Sequence, residues 1–318
     1  MHTLRSPQKL LLRHRNRNSD LNDSSEELLT LHSEEQLPFC PKRGYIGIKS
    51  FEFPSKRGFN NFIGSCNGIL CLFNNRENSI SLWNPSIRHK LTVPRCSDQK
   101  YSTWIAMGFG FDPITDDYKI VSIPFYRKYR GKGESSYVYT LKTGAWCAIA
   151  SPMPLFSELA SWPCFVNGAF HWMVQVYSNV SRDVDARRIL TFDLSTQVFG
   201  MIPLPDSGPK YKQPTIYQAS LAVIAMDADD DYRWIWVRRD ASWSLVTKLK
   251  KNQVGGRIHE GLQSTNNGDS FIQANNGFRD HYLLATLSKL AGFNAASHVF
   301  DIVFYAESLQ LLNIGTIC

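Results

Sequence analysis

A hairpin signature stands at residues 67–73, which read Asn67-Gly68-Ile69-Leu70-Cys71-Leu72-Phe73. Asn-Gly is a strong signal for a two-residue turn, because both residues tolerate positive φ. The apolar residues after it have the length and composition of a strand. A second copy lies one hundred residues on, where Asn167-Gly168 precedes the apolar run from Ala169 to Val176. If two structural units separate the copies, each unit has about 50 residues, the size of a four-stranded propeller blade.

Short turns recur between the other apolar runs. They are Trp83-Asn84-Pro85-Ser86, Phe111-Asp112-Pro113-Ile114-Thr115, Thr140-Leu141-Lys142-Thr143-Gly144 and Phe192-Asp193-Leu194-Ser195-Thr196. An Asn or Asp side chain can bond the backbone two residues on, and Pro presets φ, so such units close hairpins by local chemistry. The runs between them are rich in β-branched and aromatic residues, which predicts strands. The predicted strands are 69–73, 79–83, 105–111, 118–123, 136–140, 145–150, 169–176, 188–192, 197–202, 220–226, 233–237, 243–249 and 299–305.

This spacing predicts an all-β fold, a β-propeller-like ring of short four-stranded blades preceded by a short helical or disordered N-terminal segment. Radial stacking covers both apolar faces of each sheet and leaves only short edges exposed. We expect a lead-in over residues 1–61, basic and then acidic, and a propeller-like domain over residues 62–318 whose last third is degenerate. Residues 206–214 and 250–269 are predicted as surface loops, and residues 281–293 fit helical spacing better than strand alternation.

The formal net charge of +7 is concentrated at the start of the chain. Arg5, Lys9, Arg13, Arg15 and Arg17 precede the first acidic residue, which leaves +2 of the +7 for everything after residue 17. A nearly neutral body does not predict a phosphate-tracking surface, so we expect no nucleic-acid partner. No apolar run approaches the roughly 18 residues that a membrane-spanning helix needs, so we expect no membrane partner either.

The cysteines indicate the cellular compartment of the protein. Seven of them form an odd set with no secretory signal upstream, and most interrupt apolar runs. This usage predicts reduced core residues of an intracellular protein, in the cytoplasm, the nucleus or both. An alternative concerns the basic start: an Arg-rich, acid-free segment carrying Leu10, Leu11 and Leu12 resembles a mitochondrial or plastid transit peptide.

Four stretches have part of the pattern of a chemical site. Gly64-Ser65-Cys66-Asn67-Gly68 is followed by a predicted strand, whereas a nucleophile elbow needs a strand-to-helix turn. The acidic run 227–231 continues without the glycine and glutamate that a calcium loop requires. His171 has no further ligands at zinc spacing, and 130–134 lacks the residue order of a phosphate loop. We therefore expect no enzyme activity, no catalytic residue, no metal and no cofactor.

The predicted hairpin tip around residues 125–132 is the candidate partner-binding site. It carries Tyr126, Arg127, Tyr129, Arg130 and Lys132. Tyr and Arg are favoured anchors of protein interfaces. A solvated tip with no partner is the alternative interpretation.

The ordered motifs resemble those of a known plant family, the F-box-associated interaction domain. They are Ser65-Cys66-Asn67-Gly68-Ile69-Leu70-Cys71-Leu72, Leu82-Trp83-Asn84-Pro85-Ser86, residues 108–121, Val166-Asn167-Gly168-Ala169-Phe170-His171-Trp172 and residues 189–196. The resemblance covers residues 64–205 and continues faintly at 234–237, 243–244 and 304–309. It implies a kelch-like propeller that recognises a protein substrate for an SCF-type, cullin-RING E3 ubiquitin ligase.

In such proteins an N-terminal F-box binds a Skp-type adaptor. Residues 1–63 contain no LPxxLxxxIxxxLP-like helix with its downstream Trp. We therefore expect adaptor binding only if an F-box lies upstream. Two alternatives stay open: a propeller that binds or hydrolyses glycans, which needs clustered carboxylates or metal ligands, and a truncated or diverged F-box protein without a ligase role.

Overall fold

All regular elements that the structure describes are β-strands. A computed structural model describes residues 9–15, 27–33, 49–52, 60–74, 77–97, 104–125, 135–150, 156–159, 163–176, 187–209, 211–226, 232–250, 257–264, 270–275, 281–286, 296–297 and 299–309. The strands are β1 Lys9–Arg15, β2 Glu27–Ser33, β3 Lys49–Glu52, β4 Asn60–Cys66, β5 Ile69–Asn74, β6 Ser79–Asn84, β7 His89–Val93, β8 Trp104–Asp112, β9 Asp117–Phe125, β10 Ser136–Thr140, β11 Ala145–Ile149, β12 Phe156–Leu159, β13 Cys164–Val166, β14 Ala169–Val176, β15 Arg187–Asp193, β16 Val198–Pro203, β17 Tyr211–Tyr217, β18 Ser220–Met226, β19 Tyr232–Arg239, β20 Ser242–Lys250, β21 Arg257–Ser264, β22 Ser270–Asn275, β23 His281–Thr286, β24 Ala296–Ser297 and β25 Val299–Tyr305.

These strands form six antiparallel sheets, which we call A to F. Sheet A has the order β25-β1-β2-β3, sheet B β4-β5-β6-β7, sheet C β11-β10-β9-β8, sheet D β12-β14-β15-β16, sheet E β17-β18-β19-β20 and sheet F β21-β22-β23-β24. In sheet D, β13 also pairs with β14, beyond the part of β14 that pairs with β12. Each sheet therefore has four strand positions, as the 50-residue spacing predicted.

The chain divides into two compact units. Sheets A, E and F belong to the first unit, and sheets B, C and D belong to the second. In the second unit, one apolar cluster joins sheets B and C and contains Ile69, Leu82, Phe109 and Tyr139. A second cluster joins sheets C and D around Trp172, which is fully buried and packs against Phe170. Facing sheets thus bury their apolar side chains against each other, which is the main source of stability in such a stack.

The Asn-Gly turns have the predicted backbone. Asn67 and Gly68 have φ values of 49° and 77°, and Asn167 and Gly168 have 53° and 76°. Two successive positive φ values mark the type I′ turn, whose twist matches that of the flanking strands. The hairpin signature at residue 67 therefore forms β4–β5 in sheet B, and its copy forms β13–β14 in sheet D, two sheets further along.

The predicted helical or disordered lead-in is wrong for the described part of residues 1–61, which consists of strands. β1 pairs with β2 and also with β25, near the other end of the sequence. Leu11, Leu29 and Leu31 are fully buried in these strands. A short apolar run gives the same local signal in a strand and in a buried helix, and only pairing with a distant strand distinguishes them. The boundary between residues 61 and 62 stays a prediction.

Three predictions for residues 206–293 are wrong in part. The predicted loops contain β17, which covers part of 206–214, and β21, which covers part of 250–269. Both are end strands of their sheets, where polar residues and Pro214 are tolerated because one backbone edge needs no partner. The predicted helix 281–293 begins with β23 instead, an interior strand of sheet F, and residues 287–293 lie outside the described residues.

Candidate functional site

A buried ion pair lies at the turn between β8 and β9. The ammonium of Lys119 is 2.6 Å from Oδ2 of Asp112, and the two residues are 2% and 0% exposed. The carboxylate accepts three further hydrogen bonds: Oδ1 from the amide of Ile114 at 3.0 Å and from Oγ of Ser195 at 2.5 Å, and Oδ2 from Oγ1 of Thr115 at 2.6 Å. Lys119 also donates to the carbonyl of Leu194 at 3.2 Å.

This arrangement fixes the charge on Asp112. Burial alone would raise the pKa of the carboxyl, but the Lys119 ammonium, the two hydroxyls and the Ile114 amide together hold it well below its usual range. A carboxylate has about four acceptor positions, and four donors occupy them. The carboxylate therefore has no position left for a substrate proton. Because Ser195 and Leu194 belong to the turn after β15, the pair acts as a structural clamp between sheets C and D.

In the turn after β15, the Asp193 side chain bonds the backbone of the following residues, as its sequence predicted. The Asp193 carboxylate accepts from the amides of Ser195 at 3.1 Å and Thr196 at 2.7 Å. These bonds, with the Thr196 amide contributing most, lower the pKa of Asp193. The turn that carries Ser195 to Asp112 is thus held in place by its own aspartate.

The clamp lies at one end of the second unit. Because strands alternate in direction, the short turns 67–68, 113–116, 141–144, 167–168 and 194–197 all fall at that end. β9 ends and β10 begins at the opposite end, and residues 126–135 connect them in the sequence. This segment contains the five predicted partner-binding residues, Tyr126, Arg127, Tyr129, Arg130 and Lys132, which lie outside the described residues. Partner binding there stays a prediction.

An exposed candidate site lies on sheet E, where β19 and β20 form a hairpin. Burial alternates along β19: Arg233, Ile235 and Val237 are buried on one face, while the residues between them are partly or fully exposed on the other. The register places Tyr232 opposite Lys250, Trp234 opposite Lys248, Trp236 opposite Leu245 and Arg238 opposite Trp243. These eight residues are called the aromatic–basic face.

Cations on one strand of the aromatic–basic face lie opposite aromatic rings on the other strand. The Lys248 ammonium lies 3.4 Å from the ring centroid of Trp234, and the Arg238 guanidinium carbon lies 5.6 Å from that of Trp243. Trp234 stacks on Trp236 at 6.4 Å, with 19° between the ring planes. A cation over an indole ring is attracted by its quadrupole, most strongly where water is excluded. The side chains are therefore held in place before any partner arrives.

Gly208, in the loop before β17, lies close to Trp234 and Trp236 of this face. Gly208 has φ of 88°, and a Cβ there would lie 3.2 Å from Cε3 of Trp234 and 3.4 Å from Nε1 of Trp236. The close approach and the positive φ both favour glycine at this position. Nε1 of Trp236 is buried and has no hydrogen-bond partner among the described residues.

The sequence contained a signal for this face that the motif search did not use. Trp234, Trp236 and Arg238 recur with a period of two, which places them on one side of a strand. The resemblance pointed to Trp234 and Trp243 only as faint continuations of the repeat. The pairing of cations with rings depends on the register between β19 and β20. The sequence does not show this register.

Two further features concern metal ligands and membrane-spanning helices. Within the described ranges, no group of three or more His, Cys, Asp or Glu side chains could hold a metal ion. His171 lies in β14 and is 6% exposed. In the same part of the chain, no helix is long and apolar enough to cross a membrane.

Sequence comparison finds one family and several plant relatives. The profile of the F-box associated beta propeller domain matches residues 19–282. "F-box protein At3g07870" of Arabidopsis thaliana is 28% identical over 238 residues, which cover 65% of this chain and 56% of that protein. "F-box/kelch-repeat protein At3g23880" of the same plant is 24% identical over 154 residues, 47% of this chain and 40% of that protein. The chain thus spans about half the length of these relatives.

Solved structures with similar folds share little sequence with this chain. TolB from Acinetobacter baumannii superposes with a TM-score of 0.56 at 10% identity, over 94% of this chain and 66% of that one. The nidogen/laminin complex contains a chain that superposes with a TM-score of 0.50 at 10% identity, over 94% of this chain and 98% of that one. At this identity the likeness concerns the fold alone. Together with the family match, it confirms the predicted all-β, propeller-like fold class.

Proposed function

The chain belongs to the F-box associated beta propeller family, and from that premise we propose that it recognises a protein substrate for an SCF-type, cullin-RING ubiquitin ligase. In this proposal the chain itself is non-enzymatic. Its relatives are named as F-box proteins. Family membership supports a protein-interaction module, and the ligase role is the finer step that the proposal adds.

The observation that carries the proposal is the aromatic–basic face. Interfaces between proteins are enriched in Trp, Tyr and Arg, which supply most of the binding energy once they are desolvated. The face brings three tryptophans, a tyrosine and an arginine together on one hairpin. Tyr232, Leu245 and Val246 on the same hairpin are 38%, 38% and 40% exposed. A partner that covered these side chains would remove apolar surface from water, which favours association.

The adaptor and the compartment belong to the same proposal. We assign binding of a Skp-type adaptor to an F-box and recognition of the substrate to the sheets of this chain. Five described cysteines, Cys66, Cys71, Cys96, Cys147 and Cys164, form no disulfide bond with one another. Cysteines outside disulfide bonds support a reducing compartment, and we propose an intracellular location in the cytoplasm, the nucleus or both.

A fusion experiment tests the proposal. The full chain is placed behind the F-box of a relative and expressed in plant cells with the proteasome inhibited, next to the F-box alone. Ubiquitinated proteins are then enriched and quantified by mass spectrometry. We expect a small set of proteins that only the fusion enriches. Identical sets from the fusion and from the F-box alone would refute substrate recognition by this chain.

A further inference from the structure

We propose that the aromatic–basic face binds an acidic, extended segment of the partner protein. This inference rests on the proposed function and deepens it by naming the chemistry of the bound segment. Three features of the β19–β20 hairpin support it: its charge, the spacing of its cations and the way its rings are occupied.

The charge of the hairpin is strongly positive. Residues 232–250 carry five cations, Arg233, Arg238, Arg239, Lys248 and Lys250, and one acidic residue, Asp240. Arg238, Arg239 and Lys248 form no ion pair with any residue that the structure describes. Carboxylates of a partner would supply the acceptors that these groups lack.

The spacing of the cations suits an extended segment. Lys248 and Lys250 lie two residues apart on β20, opposite Trp234 and Tyr232 on the same face. Residues two apart in a strand are separated by about 7 Å, and the same period holds for any extended peptide laid alongside. Acidic residues at every second position would therefore meet successive cations. Trp236 and Leu245 lie between the Trp234–Lys248 pair and the Arg238–Trp243 pair.

The occupied rings favour a peptide over a nucleic acid. Single-stranded nucleic acids bind by stacking bases on free aromatic faces. Here Lys248 lies over the ring of Trp234, Trp236 stacks on the same ring, and Gly208 lies against both tryptophans. The charges of Arg238 and Lys248 are in no ion pair with the described residues, and they suit carboxylates rather than bases.

Binding should be tested with the full chain, because four aspartates precede the hairpin in the sequence. Asp227, Asp229, Asp230 and Asp231 come directly before β19 in the sequence and lie outside the described residues. With the whole chain, any competition from these carboxylates is included in the measurement.

A peptide-binding experiment tests the inference. Fluorescence anisotropy follows binding of a labelled peptide of about twelve residues with alternating glutamate and threonine, which adopts an extended form readily. The same peptide with glutamine for glutamate is the charge control. We expect the glutamate peptide to bind more tightly, and we expect Arg238→Gln with Lys248→Gln to weaken it by roughly fivefold or more.

Matched variants distinguish the face from general charge. Lys90→Gln with Arg188→Gln removes one lysine and one arginine at exposed positions of the second unit and should leave binding unchanged. Arg238→Lys with Lys248→Arg keeps the charge and should retain most of the binding, which also shows that the hairpin is folded. Equal binding of the two peptides, no binding at all, an equal loss in the control variant, or tighter binding of a single-stranded RNA of similar length would overturn the inference.

The fusion experiment separates this inference from the proposed function. If the Arg238→Gln with Lys248→Gln fusion enriches the same ubiquitinated proteins as the parent fusion, substrate recognition stands and the aromatic–basic face is not its site. If the substitutions remove those proteins while the control pair does not, the inference gains support in the cell.

Discussion

Hairpin turns in the second unit and in sheet E have the same backbone conformation but are formed by different residue types. The second unit uses Asn67-Gly68 and Asn167-Gly168, whereas sheet E uses Gln218-Ala219 and Asp240-Ala241. All eight residues have positive φ: 48° and 58° at residues 218 and 219, and 47° and 64° at residues 240 and 241. Alanine in this region costs about 1 kcal/mol or more, because its Cβ approaches the carbonyl oxygen. Pairing of the strands in sheet E therefore imposes turns that their own residues disfavour.

The same two regions place their charges differently. In the second unit, Asp112 and Lys119 are buried, and the carboxylate accepts four hydrogen bonds. In sheet E, Arg238 and Lys248 lie over tryptophan rings on a partly exposed face. A buried ion pair with further hydrogen bonds holds sheets together, while partly exposed cations that form no ion pair within the described part of the chain can bind another molecule. The comparison thus separates a structural role for charge from a binding role.

The largest effect is expected at the core between sheets C and D. Replacing Trp172 by Ala should cost about 3 to 5 kcal/mol, because the ring is fully buried and its loss leaves a large cavity. Replacing Trp243 by Ala in sheet E should cost clearly less, since its ring is partly exposed. Urea denaturation of both variants measures the difference. Equal losses would mean that the two regions do not differ as described.

Removing the buried carboxylate comes next. Asp112→Asn should cost about 3 kcal/mol, because Lys119 is left charged and buried without its partner. Adding Lys119→Met should recover part of that loss, since an apolar side chain of similar length needs no counter-charge. A double variant less stable than Asp112→Asn alone, measured in the same denaturation assay, would show that the ammonium matters through its bond to Leu194 instead.

The contribution of Asp112 should depend on pH. Its pKa in the folded chain is held below the value of about 3.9 that it has when unfolded. The stabilisation is therefore complete well above pH 4 and is lost as the pH falls toward the folded pKa. The stability difference between the parent and Asp112→Asn should shrink when denaturation is repeated at about pH 3. A difference that stays constant would contradict the ionised clamp.

Sequence reasoning succeeded where structure is local. The Asn-Gly turns and the Asp193 turn depend on contacts within a few residues, so the strands beside them were placed nearly to the residue. It failed where pairing is distant: β1 pairs with β25, and nothing near Leu11 in the sequence shows that partner. In sheet E the strands β18 to β20 were located, but Gln218-Ala219 and Asp240-Ala241 carry no glycine to mark a type I′ turn.

In the candidate sites too, local contacts were predictable from the sequence and distant contacts were not. Asp112 and Lys119 were quoted within one motif, but Ser195, which bonds Asp112 from the next sheet, is 83 residues away. The cation and ring pairs of the aromatic–basic face needed the register of β20, which contains a bulge between the partners of Ile235 and Trp236. A bulge of one residue shifts side chains to the other face, so residue types alone could not give these pairs.

Substitution of Gly168, in the type I′ turn between β13 and β14, should have a smaller effect on stability. Gly168→Ala should cost about 1 kcal/mol, because its φ of 76° is unfavourable for a residue with a Cβ. Beyond the two adjacent residues, no described heavy atom lies within 4 Å of the position that the Cβ would take. The loss therefore reports backbone strain alone, without a steric clash. An unchanged urea midpoint would mean that this turn relaxes to another type.

The smallest effect has the opposite sign and lies in sheet E. Ala219→Gly and Ala241→Gly should each stabilise the chain by about 0.5 to 1 kcal/mol, because glycine relieves the strain of positive φ, although part of the gain is offset by the greater freedom of glycine in the unfolded chain. Both positions are exposed, so little packing is lost. Ala145→Gly, at an exposed strand position, should instead destabilise and serves as the control. If Ala219→Gly and Ala241→Gly behave like that control in urea denaturation, the turns of sheet E are not strained, and its strands form without working against their own residues.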